Sequence, residues 1–141
     1  MGGQAFKRLT LDAGLRHALE RGEFVLHYQP QVDAKSGRIC GMEALVRWRH
    51  PELGMIPPLQ FIALADETGL IIPIGEWVIR TTCLQIRKWQ AQGNPPYHVA
   101  VNVSAYQFRR PNFAETFTGI LEETGVNPAF LEIELDRKSV V

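Results

Sequence analysis

Residues 41–48 read Gly-Met-Glu-Ala-Leu-Val-Arg-Trp, and in an extended chain side chains alternate, so Glu43, Leu45 and Arg47 point the same way. At roughly 3.3 Å per residue, Glu43 and Arg47 stand about 13 Å apart. That separation suits a metal-binding carboxylate at one end of an extended anionic ligand and a cation at the other. The planar fork of Arg47 can bond two acceptors at once, as a phosphate or a guanine edge would require. Charges pointing into a core are costly unless used or paired, so a buried ion pair or a solvated edge face is the competing account of the same octapeptide.

Two further oxygen donors stand at comparable places. Asn102 closes the valine-rich segment 98–103, and Glu134 lies late in the segment 130–135. In βα barrels the ligand site lies at the C-terminal ends of the strands, where both residues fall. With Glu43 they make three oxygen ligands from three strands, a set for Mg²⁺ or Mn²⁺ rather than zinc. The bland alternatives are a turn cap for Asn102 and an ordinary polar strand face made by Glu132, Glu134 and Asp136. His17, His27, His50 and His98 have no ligand spacing; His50 reads as a turn residue before Pro51 and the others as surface or satisfied groups. Cys40 and Cys83 read as small buried hydrophobes of a cytosolic chain.

The elements that must position these residues follow from periodicity. Leu11, Leu15, Ala18 and Leu19 mark an amphipathic helix stopped by Gly22. Strands are expected over 24–32 and 38–48, joined by residues 33–37, a connection too short for a crossover helix, so the two pair antiparallel. Helix and strand then alternate. Pro58, an apolar stripe of Phe61, Ile62 and Ala65, and Gly69 predict one helix. The spacing predicts a longer helix over 73–92, with Ile74, Trp77, Val78, Thr81 and Leu84 on one face and Arg80 and Arg87 nearly opposite. A buried parallel strand is expected over 98–103, a helix carrying Phe113, Phe117, Ile120 and Leu121 up to Gly125, and a last strand over 130–135.

Composition narrows the function classes. The 141 residues carry 15 basic and 15 acidic side chains, so no global field exists to hold a nucleic acid polymer or an acidic membrane surface. A small anionic ligand needs only local cations. No stretch has the length of a spanning helix and residues 1–10 lack an apolar leader, which places the chain in the cytoplasm. A hydrophobic fraction of 45% supports one respectable core. A complete TIM-type barrel needs about 250 residues.

Five ordered blocks carry a resemblance. They are Tyr28-Gln29-Pro30; Glu43-Ala44-Leu45 with Arg47; Arg49-His50-Pro51-Glu52-Leu53-Gly54 leading to Ile56-Pro57-Pro58-Leu59-Gln60-Phe61-Ile62; Ala65-Asp66-Glu67-Thr68-Gly69-Leu70-Ile71; and Asn102-Val103-Ser104. In this order they resemble the EAL family of bacterial cyclic di-GMP phosphodiesterases, a resemblance that extends over roughly residues 15 to 135. The resemblance implies an α/β fold, the N-terminal half of a TIM-like (β/α)8 barrel with an antiparallel first strand and incomplete in this chain. Residues 1–22 would be a leading helix and 23–141 the first four strands with their helices.

The resemblance also implies metal-dependent hydrolysis of cyclic di-GMP to the linear dinucleotide. Glu43, Asn102 and Glu134 would be metal ligands for Mg²⁺ or Mn²⁺, and Gln29, Leu45, Arg47 and Pro58 would line the dinucleotide pocket. Where the family reads Glu-Leu-Thr-Glu, this chain reads Glu134-Leu135-Asp136-Arg137. The family's paired aspartates, its lysine near the attacking water, and its later glutamate and glutamine have no counterpart here. No catalytic set is therefore complete, and the chain alone is expected to hydrolyse little or nothing. The expected partners are cyclic di-GMP and a second copy or another EAL or cyclase domain. The alternatives are a catalytically dead cyclic di-GMP-binding or protein-interaction module, and a non-functional remnant.

Overall fold

A computed structural model describes residues 2–136. The chain divides into two compact units, Met1–Val25 with Val46–Ile74, and Leu26–Leu45 with Gly75–Val141. Strands β1 (Phe24–Val32) and β2 (Ile39–His50) and helix α3 (Ile71–Ala91) each run from one unit into the other.

In the first unit, helix α1 (Gly2–Ala18) buries Leu11, Leu15 and Ala18 of the stripe that the spacing predicts, while Leu19, its fourth member, is half-buried beyond the helix end. It ends at Ala18, before the expected stop, and Gly22 takes a φ of 67° in the turn that follows. The core is aromatic. Phe24, Trp48 and Phe61 pack as a triangle with every centroid separation 5.9 Å. The indole N–H of Trp48 donates to Glu23 Oε1 at 2.9 Å, which satisfies the one polar atom of a fully buried ring.

A strand that sequence reasoning missed, β3 (Gly54–Ile56), folds back on the end of β2 with Trp48 opposite Ile56, Arg49 opposite Met55 and His50 opposite Gly54. Three residues are too few to show a period of two. Helix α2 (Pro58–Thr68) starts and stops as expected, with Pro58 in its first turn and Gly69 closing it at φ 80°. Its buried residues are Phe61, Leu64 and Ala65; Ile62 is half-buried, so Leu64 takes the place assigned to it.

In the second unit, β1, β2, β4 (His98–Ser104) and β5 (Leu131–Asp136) lie side by side in that order. The first two form the expected antiparallel pair. Arg49 N bonds Glu23 O at one end and Asp33 N bonds Arg38 O at the other, so the partners run in opposite directions. The pairs β2–β4 and β4–β5 are parallel.

The buried stripe of α3 is Ile71, Ile74, Val78, Ile79, Thr82, Cys83 and Ile86, a regular i, i+3, i+4 pattern. The assignment of Leu84 to this face is incorrect. It lies about 200° around the helix from Thr82 at 100° per residue, and it is 52% exposed. Arg80 and Arg87, on the solvent side, reach helix α5 (Phe113–Thr124) and its cap. Arg80 Nε pairs with Glu123 Oε2 at 2.6 Å, and Arg87 donates to the Gly125 carbonyl at 3.1 Å.

A second missed element is the single turn α4 (Ala105–Phe108), capped by Ser104, whose Oγ accepts from Gln107 N at 3.1 Å. Gln107 is buried and its side chain occupies the space that a Cβ on Gly75 would need. Cys83 is buried as expected, but Cys40 is exposed near the hairpin end, its Sγ donating to the Gln31 carbonyl at 3.3 Å. Leu135 is also exposed, on β5, the last strand in the sheet order of the described residues. No helix among the described residues is long and apolar enough to cross a membrane.

Candidate functional site

Strand register decides which side chains meet. Glu43 on β2 pairs with Ala100 on β4, and two residues further along β4 Asn102 pairs with Glu134 on β5. Paired residues of parallel strands share a face, and so do residues two apart on one strand. Glu43, Asn102 and Glu134 therefore stand on one face of the second unit's sheet, from three adjacent strands. The opposite face carries Val99, Val101 and Val103 with Leu131, Ile133 and Leu135.

Asn102 is the central member. Its Nδ2 donates to Glu43 Oε2 at 3.0 Å across 59 residues of sequence, which leaves the amide oxygen as the atom of this side chain that could bind a cation. Glu134 is held above its usual carboxyl value, first by burial and then by the like charges of Glu43 and Glu132. A site that gathers carboxylates against their own repulsion fits a hard cation, which would relieve it. Among the described residues no three His, Cys, Asp or Glu side chains form a metal-holding group; the candidate set is two carboxylates and one amide.

Other expected residues distribute as follows. Leu45 follows Glu43 by two and shares its face. Gln29 is exposed on β1. A Cβ on Gly41 would meet Gln31 Oε1 at 3.4 Å and the His98 Cβ at 3.9 Å, which puts Gln31, and with it Gln29 two residues before, on the Glu43 face. Arg47 and Pro58 belong to the first unit. There Arg47 is half-buried and donates to the carbonyl of Val46 at 3.0 Å, and Pro58 opens α2.

Glu132 shares the face of Glu134 and shapes its charge, a role that the alternating Glu132-Ile133-Glu134 pattern signals without naming the neighbour. Arg137 and the side chain of Asp136, where the sequence departs from the expected block, lie outside the described residues.

Comparison with known proteins identifies the family. The EAL domain family matches residues 12–141. The bifunctional diguanylate cyclase/cyclic di-GMP phosphodiesterase MucR of Pseudomonas aeruginosa is 42% identical over 141 residues, all of this chain and 21% of MucR. The cyclic di-GMP phosphodiesterase PdeR of Escherichia coli is 40% identical, again over all of this chain and 21% of its own length. The chain thus spans about a fifth of these two relatives.

Among solved structures, the PaMucR phosphodiesterase in complex with c-di-GMP superposes with a TM-score of 0.84 at 44% identity, covering 88% of this chain and 50% of that one. The FimX EAL domain of Xanthomonas citri in complex with c-di-GMP gives 0.80 at 25% identity, covering 99% and 54%. EAL domains are TIM-like barrels, and this chain matches about half the length of those solved ones. A parallel sheet that brings Glu43, Asn102 and Glu134 to one face, the ordered motifs and the match over residues 12–141 make the chain a member of the EAL domain family.

Proposed function

We propose that this chain carries part of the metal and substrate site of a cyclic di-GMP phosphodiesterase. The observation that supports the reading best is the convergence of Glu43, Asn102 and Glu134 on one sheet face, tied by the Asn102–Glu43 hydrogen bond. Glu43 and Glu134 would hold Mg²⁺ or Mn²⁺ through carboxylate oxygens and Asn102 through its amide oxygen. When bound, such a cation would polarise a phosphate oxygen and acidify a water for in-line attack.

The chain's own residues do the rest. The Asn102 amide N–H fixes the rotamer of Glu43, so that carboxylate need not be ordered at the moment of binding. Gln29 and Leu45 would line the dinucleotide, Arg47 would hold a phosphate or guanine edge by its fork, and Pro58 would form a rigid wall. We place the protein in the cytoplasm, in keeping with its two unpaired thiols.

Hydrolysis by these residues alone is expected to be slight, because the family's paired aspartates and lysine have no counterpart among them. A second reading, binding of cyclic di-GMP without turnover, is favoured by Asp136-Arg137 standing where the family has Thr-Glu. Chromatography of cyclic di-GMP after incubation with Mn²⁺ separates the two, with Glu43→Ala run beside the parent. Linear dinucleotide from the parent alone supports hydrolysis. Saturable binding without product supports the second reading, and neither binding nor product sinks both.

A further inference from the structure

In the first unit, β2 ends at His50, which is 9% exposed and packs at a tilt against Trp48 with ring centroids 5.4 Å apart. Its Nδ1 lies where two backbone donors point. Glu52 N approaches it at 3.0 Å and Leu53 N at 3.1 Å. A nitrogen that accepts from two N–H groups carries no proton, so the ring is the neutral tautomer protonated on Nε2. Gly14 of α1 leaves room for that edge, since a Cβ there would come within 3.2 Å of Nε2.

These two bonds close the turn of residues 50–53. The turn folds β3 back on β2, and β3 runs directly into Pro57 and Pro58 at the start of α2. Trp48, next to Arg47, is the β2 partner of Ile56, next to Pro57. The placement of Arg47 relative to Pro58 therefore passes through the turn that His50 closes.

We propose that His50 is a positioning residue whose neutral imidazole holds Arg47 and Pro58 in binding geometry, and whose protonation opens the 50–53 turn and releases them. The part concerning Arg47 and Pro58 rests on the ligand reading above; the turn itself does not. Adding a proton to Nδ1 replaces an acceptor with a third N–H facing two others, so both bonds must break together.

Titratable and charged groups on the elements around the ring include Asp12, Arg16 and His17 of α1, Glu23 beside Trp48, Arg47 and Arg49 of β2, Glu52 in the turn, and Asp66 and Glu67 of α2; the three residues of β3 carry none. None of these supplies an acceptor that would let a protonated Nδ1 keep the Glu52 and Leu53 amides.

The test uses His50→Asn, because an asparagine Oδ1 stands where Nδ1 does and accepts but cannot be protonated. Amide hydrogen exchange of Glu52 and Leu53 is measured at a series of pH values from about pH 8 to about pH 5, relative to intrinsic exchange. The parent should lose protection at these two amides by at least about tenfold, the effect of losing two hydrogen bonds, while His50→Asn keeps it throughout. His50→Gln, whose acceptor reaches the Nε2 position instead, should lack protection at every pH.

Cyclic di-GMP affinity, read by calorimetry in the same samples, should fall with pH in the parent and stay level in His50→Asn. Protection independent of pH in the parent, or lost equally in His50→Asn, overturns the latch whatever the binding does. A pH-dependent latch with affinity unchanged overturns the positioning role. Absence of nucleotide binding by the parent at pH 8 removes the ligand reading and the positioning role with it, while the exchange data still judge the latch.

Discussion

Replacing Glu134 by glutamine should make the cation-free protein more stable, an outcome opposite to that of most substitutions at half-buried positions. The register places Glu134 two strands from Glu43 and two residues further along, which at 4.8 Å between strands and 3.3 Å per residue separates their Cα atoms by about 12 Å. Two unit charges at that distance repel by about 0.3 kcal/mol in water and about 1.4 kcal/mol at an effective dielectric constant of 20. Glu134 is half-buried and partly screened, so the expected gain from Glu134→Gln is about 0.5–1 kcal/mol at pH 7.

The sign with pH follows from the raised carboxyl of Glu134. The folded state holds this proton more tightly than the unfolded chain, so the parent loses stability as pH rises through the folded value, and the variant does not. The advantage of Glu134→Gln should therefore vanish below the ordinary glutamate value of 4.5, where both states are protonated. Urea denaturation of parent and variant with a chelator, at pH 7 and at about pH 3.5, measures both quantities. Added Mn²⁺ should then stabilise the parent more than the variant. A variant less stable than the parent at pH 7, or an advantage that persists in acid, would refute the picture of carboxylates held together against repulsion.

Arg47→Ala should weaken cyclic di-GMP binding by at least about tenfold, the worth of a charge-assisted hydrogen bond, without changing thermal stability as much; calorimetry and a melting curve read the two. Phe61→Ala should cost about 3–5 kcal/mol in urea denaturation, because its ring is wholly buried against Phe24 and Trp48. Gly75→Ala should cost about 1–3 kcal/mol through overlap with the buried amide of Gln107, and Gln107→Ala in the same chain should recover part of that loss; additive costs in the double-mutant cycle would show that the two do not touch.

Much of the local structure was legible because short-range physics writes it. Proline in a first turn and glycine with positive φ at an end bound α2, and the six residues between β1 and β2 leave no path but a hairpin. The motifs Glu43-Ala44-Leu45 and Asn102-Val103-Ser104 gave the candidate donors and the family. The third strand was not legible, because three residues carry no period and its existence depends on a turn closed by a histidine ring. The face of α3 was misjudged at Leu84 because both stripes satisfy helical spacing. What separates them is that Arg80 and Arg87 find partners on α5 and its cap, forty or so residues away.

The sequence by itself determined that Glu43, Asn102 and Glu134 would each stand on a strand. Tertiary structure decided that they meet. Their common face depends on Glu43 pairing with Ala100 and Asn102 with Glu134, and a slip of one residue in either pair would send a donor to the valine face. That register is fixed by non-local burial of Val99, Val101 and Val103, which no local pattern around Glu43 contains. The same holds for charge. Glutamates at positions 43, 132 and 134 are ordinary surface acids in the sequence, and only the folded sheet makes one of them hold its proton more tightly than a free glutamate does.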